Sequence, residues 1–411
     1  MTARVLEFAR RSRPVAVLRR PGIARLFALS VLGRTPTGAI GLLLILRVRE
    51  LGGGYELGGL AAAGFAIGVA TCAPFVGRAI DALGQTLVLL ASATASGLAL
   101  AAAAALPAGA PPVALVPIAL AIGAAHPPIE SCMRVLLGRL LDDADQRHAA
   151  LSLEASLQEV SFTLGPLVFV TLIGARSAAG GLAACAAVAF GASALFAATR
   201  ESRKVPGGSA RRRVPGAPLR RRGIRTLLVA IAALGAMFGA NEVALVASAS
   251  DAGHPSAVGV LLSVYCLTSL IAGVATAHRR APAAPARELA ALFALAAVGH
   301  ALLAPASSLL VLGVLVGLAG ATAAPIFAIV YALTGQLAPS GTVTEAYTWL
   351  GSSIFTGAAL GAALGGTLIE QAGTWAAFTA AAVAAAVAAA VVHLGAATLA
   401  VGREQLVEGA A

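Results

Sequence analysis

Long apolar runs follow one another along almost the whole chain, separated by short polar or glycine-containing segments. A helix needs about 20 apolar residues to cross about 30 Å of hydrocarbon. Every backbone group in lipid has to be bonded internally, so such runs form helices rather than open strands. The pattern predicts an all-α membrane protein with twelve transmembrane helices, called spans 1 to 12. Their predicted bounds are 24–47, 57–78, 85–106, 112–137, 149–173, 178–199, 226–249, 255–277, 288–306, 308–333, 345–369 and 374–400.

The composition agrees with this pattern. Of the 411 residues, 59% are hydrophobic and only 11% are charged, whereas a soluble protein of this length needs far more charge on its surface. Alanine and glycine are abundant, which suits helices that pack through small residues in the bilayer. Residues 1–23 lack the small-residue cleavage site of a signal peptide, and we interpret them as a retained basic tail.

The basic residues predict the orientation. Most of the 29 Lys and Arg residues fall before span 1, after even-numbered spans, and in a linker at 200–225. Such residues are enriched on the cytoplasmic side, so the cell membrane is the expected location, with the N-terminal tail and the C-terminal tail at 401–411 cytoplasmic. The linker could bind nucleic acid, but no aromatic residue interleaves its arginines. We interpret it as a solvated segment near anionic lipid headgroups, which explains the net charge of +11 without a nucleic-acid partner.

Several kinds of site are missing from the sequence. The four cysteines fall in four different spans without metal-ligand spacing, so no metal site is expected. The chain has no G-x-x-x-x-G-K-[ST] loop, which argues against an ATP-driven pump. It also lacks the G-x-S-x-G and H-E-x-x-H patterns of common hydrolases, which argues against an enzyme. We therefore expect no cofactor, and a proton gradient as the energy source.

The chain repeats itself. At an offset of 197, residues 123–140 and 320–337 share seven of 18 positions, among them Pro128 and Pro325. This pairs span 4 with span 10, as a duplication of six helices requires. The predicted domains are accordingly two six-helix bundles, at 24–199 and 226–400.

A short motif follows span 2. Gly77, Asp81 and Gly84 match the G-x-x-x-D-x-x-G-[RK]-[RK] signature, although Gln85 and Thr86 stand where two basic residues are usual. With the twelve spans, the duplication and the basic linker, the chain resembles the major facilitator superfamily over nearly its whole length.

This resemblance implies an alternating-access transporter for a small molecule, with spans 1, 4, 7 and 10 lining the cavity and the protein working as a monomer. The Gly77–Gly84 motif would then act as a conformational latch, in which Gly77 allows close approach to span 11. Asp81 would lie near the positive N-terminal end of that span. A plain solvated loop acid is the alternative for Asp81. His278 stands at the repeat counterpart of Asp81, and we interpret it as a surface histidine.

Departures from the drug/proton antiporters of the family narrow the resemblance. Their span-4 arginine is Pro117 here. Of their span-5 motif G-P-x-x-G-G, Gly165-Pro166 remains, while Phe169-Val170 replaces the last two glycines. Pro127-Pro128 and the sequence Leu157-Gln158-Glu159 are similar to efflux-type facilitators of actinobacteria.

Ionisable groups at bilayer depth are functional candidates because they are costly to bury. Arg34 lies near the middle of span 1, and Glu159 lies at a similar depth in span 5. Spans 1, 4 and 5 are neighbours in this family, so Arg34–Glu159 is the predicted pair, either in the substrate and proton pathway or as a fixed ion pair that packs helices. Glu130 in span 4 belongs to the same candidate pathway, and its spacing to Arg134 also fits an intrahelical pair.

The second half supplies fewer candidates. Asn241 and Glu242 fall in the outer part of span 7, either in the pathway or at its rim. Tyr265 and Tyr331 offer a hydroxyl and a ring face to a substrate, or pack within the bundle. His126, before the proline pair of span 4, either senses protons or packs in a broken helix.

The glycines of span 11 form a separate group. Three of them recur every fourth residue, a pattern for close helix contact that we expect to face span 2. They are Gly357, Gly361 and Gly365.

The sequence therefore predicts a secondary transporter, driven by protons and exporting a drug-like or amphipathic compound, that is, an antiporter. Uptake of a sugar, metabolite or organic anion by proton symport is the alternative. A membrane sensor that transports nothing is a third possibility, but no segment is long enough for an added soluble domain.

Overall fold

The computed structural model describes residues 13–174, 176–205, 207, 216–254 and 257–400. Within these ranges every regular element is helical, which confirms the predicted all-α class. The first twelve residues of the predicted basic tail, the C-terminal tail at 401–411 and most of the central basic linker lie outside the described residues.

Each predicted span coincides with one helix or with two consecutive helical segments. The α-helices are Arg13–Leu18, Ile23–Arg34, Thr37–Glu50, Tyr55–Leu83, Gln85–Ala105, Leu115–Ala124, Ile129–Leu140, Ala144–Gly165, Ala178–Ala197, Arg200–Arg203, Ala217–Arg220, Arg222–Asp251, Ala257–Ala277, Pro285–Ala301, Leu309–Gly320, Ala323–Leu337, Val343–Ala372 and Thr374–Leu394. A π-helix at Pro166–Ile173 and the 3₁₀ turns Pro112–Ala114 and Ala396–Leu399 complete the described elements.

Ten of the twelve spans are long and apolar enough, in the described part of the chain, to cross a membrane as single units. Span 9 falls short because its helix, Pro285–Ala301, has 17 residues. Span 5 is more polar, since Glu154 and Glu159 lie within its helix. Large apolar side chains such as Leu310 and Leu360 are exposed on the protein surface, as expected where lipid is the solvent.

Three spans are interrupted, and of these breaks only the one in span 4 was considered from the sequence. Span 1 breaks at Thr35-Pro36, span 4 breaks between Ala124 and Ile129, and span 10 breaks at Ala321-Thr322. Proline lacks the N–H that would bond the carbonyl four residues earlier, so each break has a proline at or just after it. Interrupted helices in membranes occur where the freed backbone is covered by protein or lines a cavity.

The duplicated segment explains two of these breaks. Pro128 is the N-cap of the second segment of span 4, and Pro325 is the third residue of the second segment of span 10. The two prolines occupy identical repeat positions, so each half has inherited an interruption at the same place. Span 5 has a different irregularity, because its α-helix continues from Pro166 as a π-helix.

Contact clustering divides the chain into two compact units. Unit 1 comprises Met1–Asp142, Leu157–Pro215 and Tyr347–Ser352, and unit 2 comprises Asp143–Ser156, Gly216–Ala346 and Ser353–Ala411. Inside unit 1, span 6 packs on spans 1 and 3, and span 2 packs on span 4. Inside unit 2, span 12 packs on spans 7 and 9, and span 8 packs on span 10. The pairings are the same after a shift of six spans, as a duplication predicts.

Candidate functional site

The irregular parts of spans 1 and 5 meet inside unit 1. A Cβ atom added to Gly165 would overlap the carbonyl oxygen of Thr35, so the backbone of span 5 lies directly on the break of span 1. Pro166 begins the π-helix immediately after this contact. The Gly165-Pro166 pair therefore places a helix irregularity of span 5 beside the interruption of span 1.

Arg34 lies at this junction and is almost completely buried, with 7% of its surface exposed. Its Nε donates a hydrogen bond to Ser161 Oγ over 3.2 Å. Ser161 in turn donates to the Leu157 carbonyl of its own helix at 3.2 Å. Glu159 is half-buried on the same helix, and its ion pair with Arg34 stays a prediction. The guanidinium thus lies against span 5, the neighbour that the sequence predicted.

His126 belongs to the same region because it lies within the break of span 4. Its Nε2 is 3.2 Å from Oγ1 of Thr37, the first residue of the second segment of span 1. Its ring meets the ring of Phe65 in span 2 edge to face, with centroids 5.9 Å apart. The interruptions of spans 1 and 4 are therefore joined by a hydrogen bond between side chains, which the sequence did not predict.

Glu130 follows the break of span 4, is half-buried, and lies in the first turn of the second segment. Arg134, one turn further, is buried. Its Nη2 donates to Oε1 of Gln158 in span 5 over 3.1 Å, and its guanidinium lies 5.9 Å from the centre of the Tyr347 ring. The intrahelical pair Glu130–Arg134 stays a prediction. The link to Gln158 was not predicted, although the Leu157-Gln158-Glu159 motif is its signal in the sequence.

In unit 2 the candidate residues of span 7 point in different directions. Asn241 is buried, and its Oδ1 has no hydrogen-bond partner among the described residues. Glu242 is exposed on the neighbouring face of the helix Arg222–Asp251. Successive residues of a helix are about 100° apart, so one residue faces the bundle while the other does not. The two side chains therefore do not form one polar group.

Tyr265 and Tyr331 belong to a continuous series of buried or half-buried rings in unit 2. Neighbouring rings have centroids 5.6 to 6.3 Å apart and are stacked, edge to face or, for Tyr265 and His300, tilted. In order, the series is Tyr331, Phe327, Phe238, Tyr265 and His300. Such ring pairs stabilise a fold beyond their buried area. The series joins spans 7, 8, 9 and 10, so both tyrosines at least pack the second bundle.

The glycine face of span 11 packs against span 7. The nearest atoms to the three glycines belong to Ala232, Ala236 and Ala240, spaced by four residues like the glycines themselves. The predicted partner of this face, span 2, was wrong. The glycine spacing predicts that two helices approach closely, but it does not indicate which helix is the second one. The small residues of the partner helix decide that.

Comparisons with known proteins decide the family. The sequence profile described as Major Facilitator Superfamily matches residues 26–317. The chain belongs to the major facilitator superfamily. It is therefore a multi-pass membrane protein and a secondary transporter, in a family that is not enzymatic. A search of curated proteins found no match.

Solved structures have the same fold. The human organic anion transporter MFSD10 (TETRAN) has a TM-score of 0.72 at 16% identity, over 91% of this chain and 100% of that one. A single-residue variant of the E. coli fucose:proton symporter FucP gives 0.71 at 15% identity, over 90% and 98% of the two chains. A bacterial homologue of the iron transporter ferroportin, in an outward-facing state, gives 0.69 at 14%, over 90% and 98%.

The facilitator signature was predicted as a loop after span 2, but most of it is helical. The helix Tyr55–Leu83 runs five residues beyond the predicted end of span 2, so Gly77 and Asp81 are helical rather than in a loop. Only Gly84 forms the turn, with φ +96°, a conformation that favours glycine. Charged residues such as Arg78 and Asp81 are compatible with a helix, so the helix continues through them. It ends at Gly84, because glycine can adopt the positive φ that reverses the chain.

Gln85 and Thr86 replace the usual basic pair because their side chains are directed at the protein. Gln85 is fully buried, and its Nε2 donates to Ser202 Oγ over 3.0 Å. Thr86 donates to the carbonyl of Ala197 at the end of span 6, at 3.3 Å. A Cβ atom added to Gly84 would lie 3.2 Å from the backbone nitrogen of Gly207. A buried lysine or arginine at 85 would have to lose its hydration next to a basic linker.

The start of the linker also contacts the start of span 1, and the tail contacts the end of span 4. Arg25 Nη2 is 3.3 Å from Oε2 of Glu201, the single acid of the predicted linker. Arg20 Nη1 donates to the Leu140 carbonyl at 3.1 Å. The first residues of the linker are therefore held by two chain segments in unit 1, the turn at Gly84-Gln85 and the start of span 1.

The loop after span 8 is the repeat counterpart of the signature. The acid that contacts this loop comes from another helix. The backbone N–H of Ala281 donates to Oδ1 of Asp145 over 2.8 Å, in the first turn of the helix Ala144–Gly165. Arg279 and Glu288 form an ion pair at 3.1 Å. His278 is exposed, and its Nδ1 bonds the Val274 carbonyl. Comparison of the two loop sequences finds no acid in the loop after span 8. The acid that contacts this loop is Asp145, which belongs to the first turn of the helix Ala144–Gly165.

Proposed function

We propose that this facilitator exports a small amphipathic compound across the cell membrane in exchange for protons. The observation that carries the proposal is the group of polar residues around the breaks of unit 1. Arg34 is buried there and bonds to Ser161 of span 5, and His126 bonds to Thr37 across the breaks of spans 1 and 4. Two half-buried acids, Glu130 and Glu159, lie on spans 4 and 5. Such groups inside a membrane are expensive and are expected where protons or polar substrates pass.

The aromatic series of unit 2 supports an amphipathic substrate rather than a purely polar one. Rings that are stacked on one another present flat apolar faces and few hydrogen-bonding atoms. Asn241, three residues after Phe238 in span 7, adds one buried carbonyl oxygen. A molecule with a ring or an aliphatic body and one polar group suits these surroundings better than a sugar with many hydroxyls.

Proton-coupled uptake of an organic anion is the second candidate. It is favoured by Arg34, whose buried guanidinium offers a planar set of donors to a carboxylate or another anion. The human organic anion transporter and the fucose:proton symporter have similar folds, and at 16% and 15% identity they do not decide the substrate of this chain.

The remaining features of the proposal concern topology. We propose that both termini are cytoplasmic, that the bundles 24–199 and 226–400 move against each other as monomeric transporters do, and that the linker lies near anionic headgroups. The excess of basic residues in the linker and the tail supports this orientation.

The direction of coupling can be measured with liposomes that have an acidic lumen. The probes are ethidium, a permanent cation, and radiolabelled naphthalene-2-sulfonate, a permanent anion, because neither is trapped passively by a pH gradient. Antiport concentrates the probe in the acidic lumen whichever way the protein is inserted, whereas symport depletes it there. Nigericin, which collapses the gradient, is the control. Accumulation of either probe at the alkaline side contradicts export by antiport.

A further inference from the structure

His126 is a titratable residue at an interruption of a membrane helix. It lies between the two segments of span 4, where the backbone from Ala125 to Pro128 is not helical. Its imidazole is half-buried and bonds to Thr37 at the break of span 1. A single hydrogen bond between side chains therefore joins the interruptions of spans 1 and 4.

The charge on His126 matters because its partner Thr37 lies at the start of a helix. Thr37 is the first residue of the helix Thr37–Glu50, which follows Pro36 and has no side-chain cap. The N-terminal end of a helix carries a partial positive charge and disfavours a cation nearby. A neutral imidazole 3.2 Å from Thr37 is compatible with this end, and an imidazolium in the same place is repelled.

The other charged groups at this junction come from three spans. Arg34 lies three residues before Thr37 in span 1, and Glu159 lies in span 5. Glu130, four residues after His126 in span 4, favours the charged imidazole. Span 2 contributes the ring of Phe65. A protonated His126 is therefore drawn away from span 1 and towards Glu130 of its own span.

We propose that His126 binds a proton and that this proton breaks the contact between spans 1 and 4. The proposal rests on the proton coupling of the proposed function and assigns one residue to it. In the neutral state Nε2 of His126 accepts the hydroxyl hydrogen of Thr37 and so joins the two breaks. Protonation places a hydrogen on Nε2 and removes this acceptor, so the second segment of span 1 is free to move relative to span 4.

Two measurements on the full chain in nanodiscs test this without a known substrate. Carbon-13 NMR of labelled histidine follows the protonation of His126 between pH 5 and pH 9, with His126→Gln assigning its signal. Hydrogen exchange, corrected for the intrinsic effect of pH, follows the backbone at 33–40 and 122–130. We expect exchange in both segments to be about fivefold faster at pH 5.5 than at pH 7.5, as a modest charge–dipole repulsion would produce.

The variants separate a proton switch from simple packing. His126→Gln keeps a neutral polar group and should leave exchange slow at both pH values. Thr37→Val keeps the titratable ring but removes its partner, so exchange should be fast at both pH values. His254→Gln changes an exposed histidine of the loop after span 7 and should behave like the wild type.

Two results overturn the proposal. One is an NMR signal of His126 that does not titrate between pH 5 and pH 9. The other is a pH effect on exchange that survives in His126→Gln. Either result leaves proton-driven transport in place, with Glu130 or Glu159 as the proton site. If the liposome assay instead finds no response to the pH gradient while His126 titrates and opens the junction, the proposed coupling fails and the switch stands.

Discussion

Gly357 of span 11 lies so close to the carbonyl oxygen of Ala232 in span 7 that no side chain fits between the two helices. The same holds one turn further for Gly361 and Ala236. Contacts of this kind hold membrane helices together through close backbone approach. Their position fixes spans 7 and 11 within unit 2.

We therefore expect Gly361→Ala to lower the thermal midpoint of the protein in detergent. The added methyl group would force spans 7 and 11 apart, at a cost of about 1–3 kcal/mol. Gly366→Ala on the same helix is the matched control, because an added Cβ there meets nothing within 4 Å. The control should be neutral or slightly stabilising, since alanine is the better helix former. Equal midpoints for the two variants would refute the close contact.

The glycines also show how far the sequence can predict this fold. Twelve spans, their order, the duplication and the family follow from apolar runs and a few motifs, because lipid imposes these patterns on every segment. The breaks in spans 1 and 10 were not predicted. A proline inside an apolar run is compatible with either a kink or a full interruption, and packing against other spans decides between them.

The candidate site was predicted only in part. Arg34 and its neighbour span 5 were found, because a charge at bilayer depth stands out in sequence. Ser161 and Thr37 were missed, since uncharged polar residues are common in membrane helices and give no signal. Gln158 was noted as part of a motif, but its bond to Arg134 was not predicted. The buried Gln85 is similar. Its meaning depends on Ser202, which is distant in sequence.

Gln85→Lys should destabilise the protein, although it restores a residue that is usual in the family motif. The ammonium group would be buried beside basic residues of the linker and would lose the bond to Ser202. Gln85→Met, similar in length and uncharged, is the control and should cost only about 1 kcal/mol, the value of one hydrogen bond. The two are compared by thermal unfolding in detergent. A lysine variant as stable as the methionine variant would show that position 85 can reach water.

The predicted ion pair of Arg34 and Glu159 can be tested by a double-mutant cycle of transport activity and stability. Removal of Glu159 by a change to Gln should abolish pH-driven flux, because it leaves the buried Arg34 without its counter-charge. The double variant Arg34→Met, Glu159→Gln should be more stable than either single variant. Strict additivity of the two changes would mean that the residues do not interact. Ser161→Ala, which removes only the observed hydrogen bond to Arg34, is the control.

Stability should fall on acidification because of His148, one residue before the predicted start of span 5. Burial lowers its pKa below the usual 6.5, and Arg279 also lowers it, while Glu288, Asp145 and a backbone bond to Thr276 oppose the shift. The folded state thus favours the neutral ring. Its contribution is complete above pH 6.5 and is lost as the pH falls below that value.

The measurement is the thermal midpoint at pH 7.5 and pH 5.5. We expect the drop to be smaller in His148→Gln than in the wild type. His278→Gln, at an exposed histidine in the nearby loop after span 8, should leave the drop unchanged. If His148→Gln shows the full drop, the acid sensitivity belongs to other groups.

The central claim is exchange of a compound for protons, and proton counterflow measures it most directly. Liposomes with an acidic lumen contain pyranine, and ethidium or naphthalene-2-sulfonate is added outside. The account predicts that entry of the transported probe raises the lumenal pH in step with its accumulation, and that Glu159→Gln abolishes both signals. Probe entry without a rise in lumenal pH, or a rise coupled to probe leaving the lumen, would contradict it.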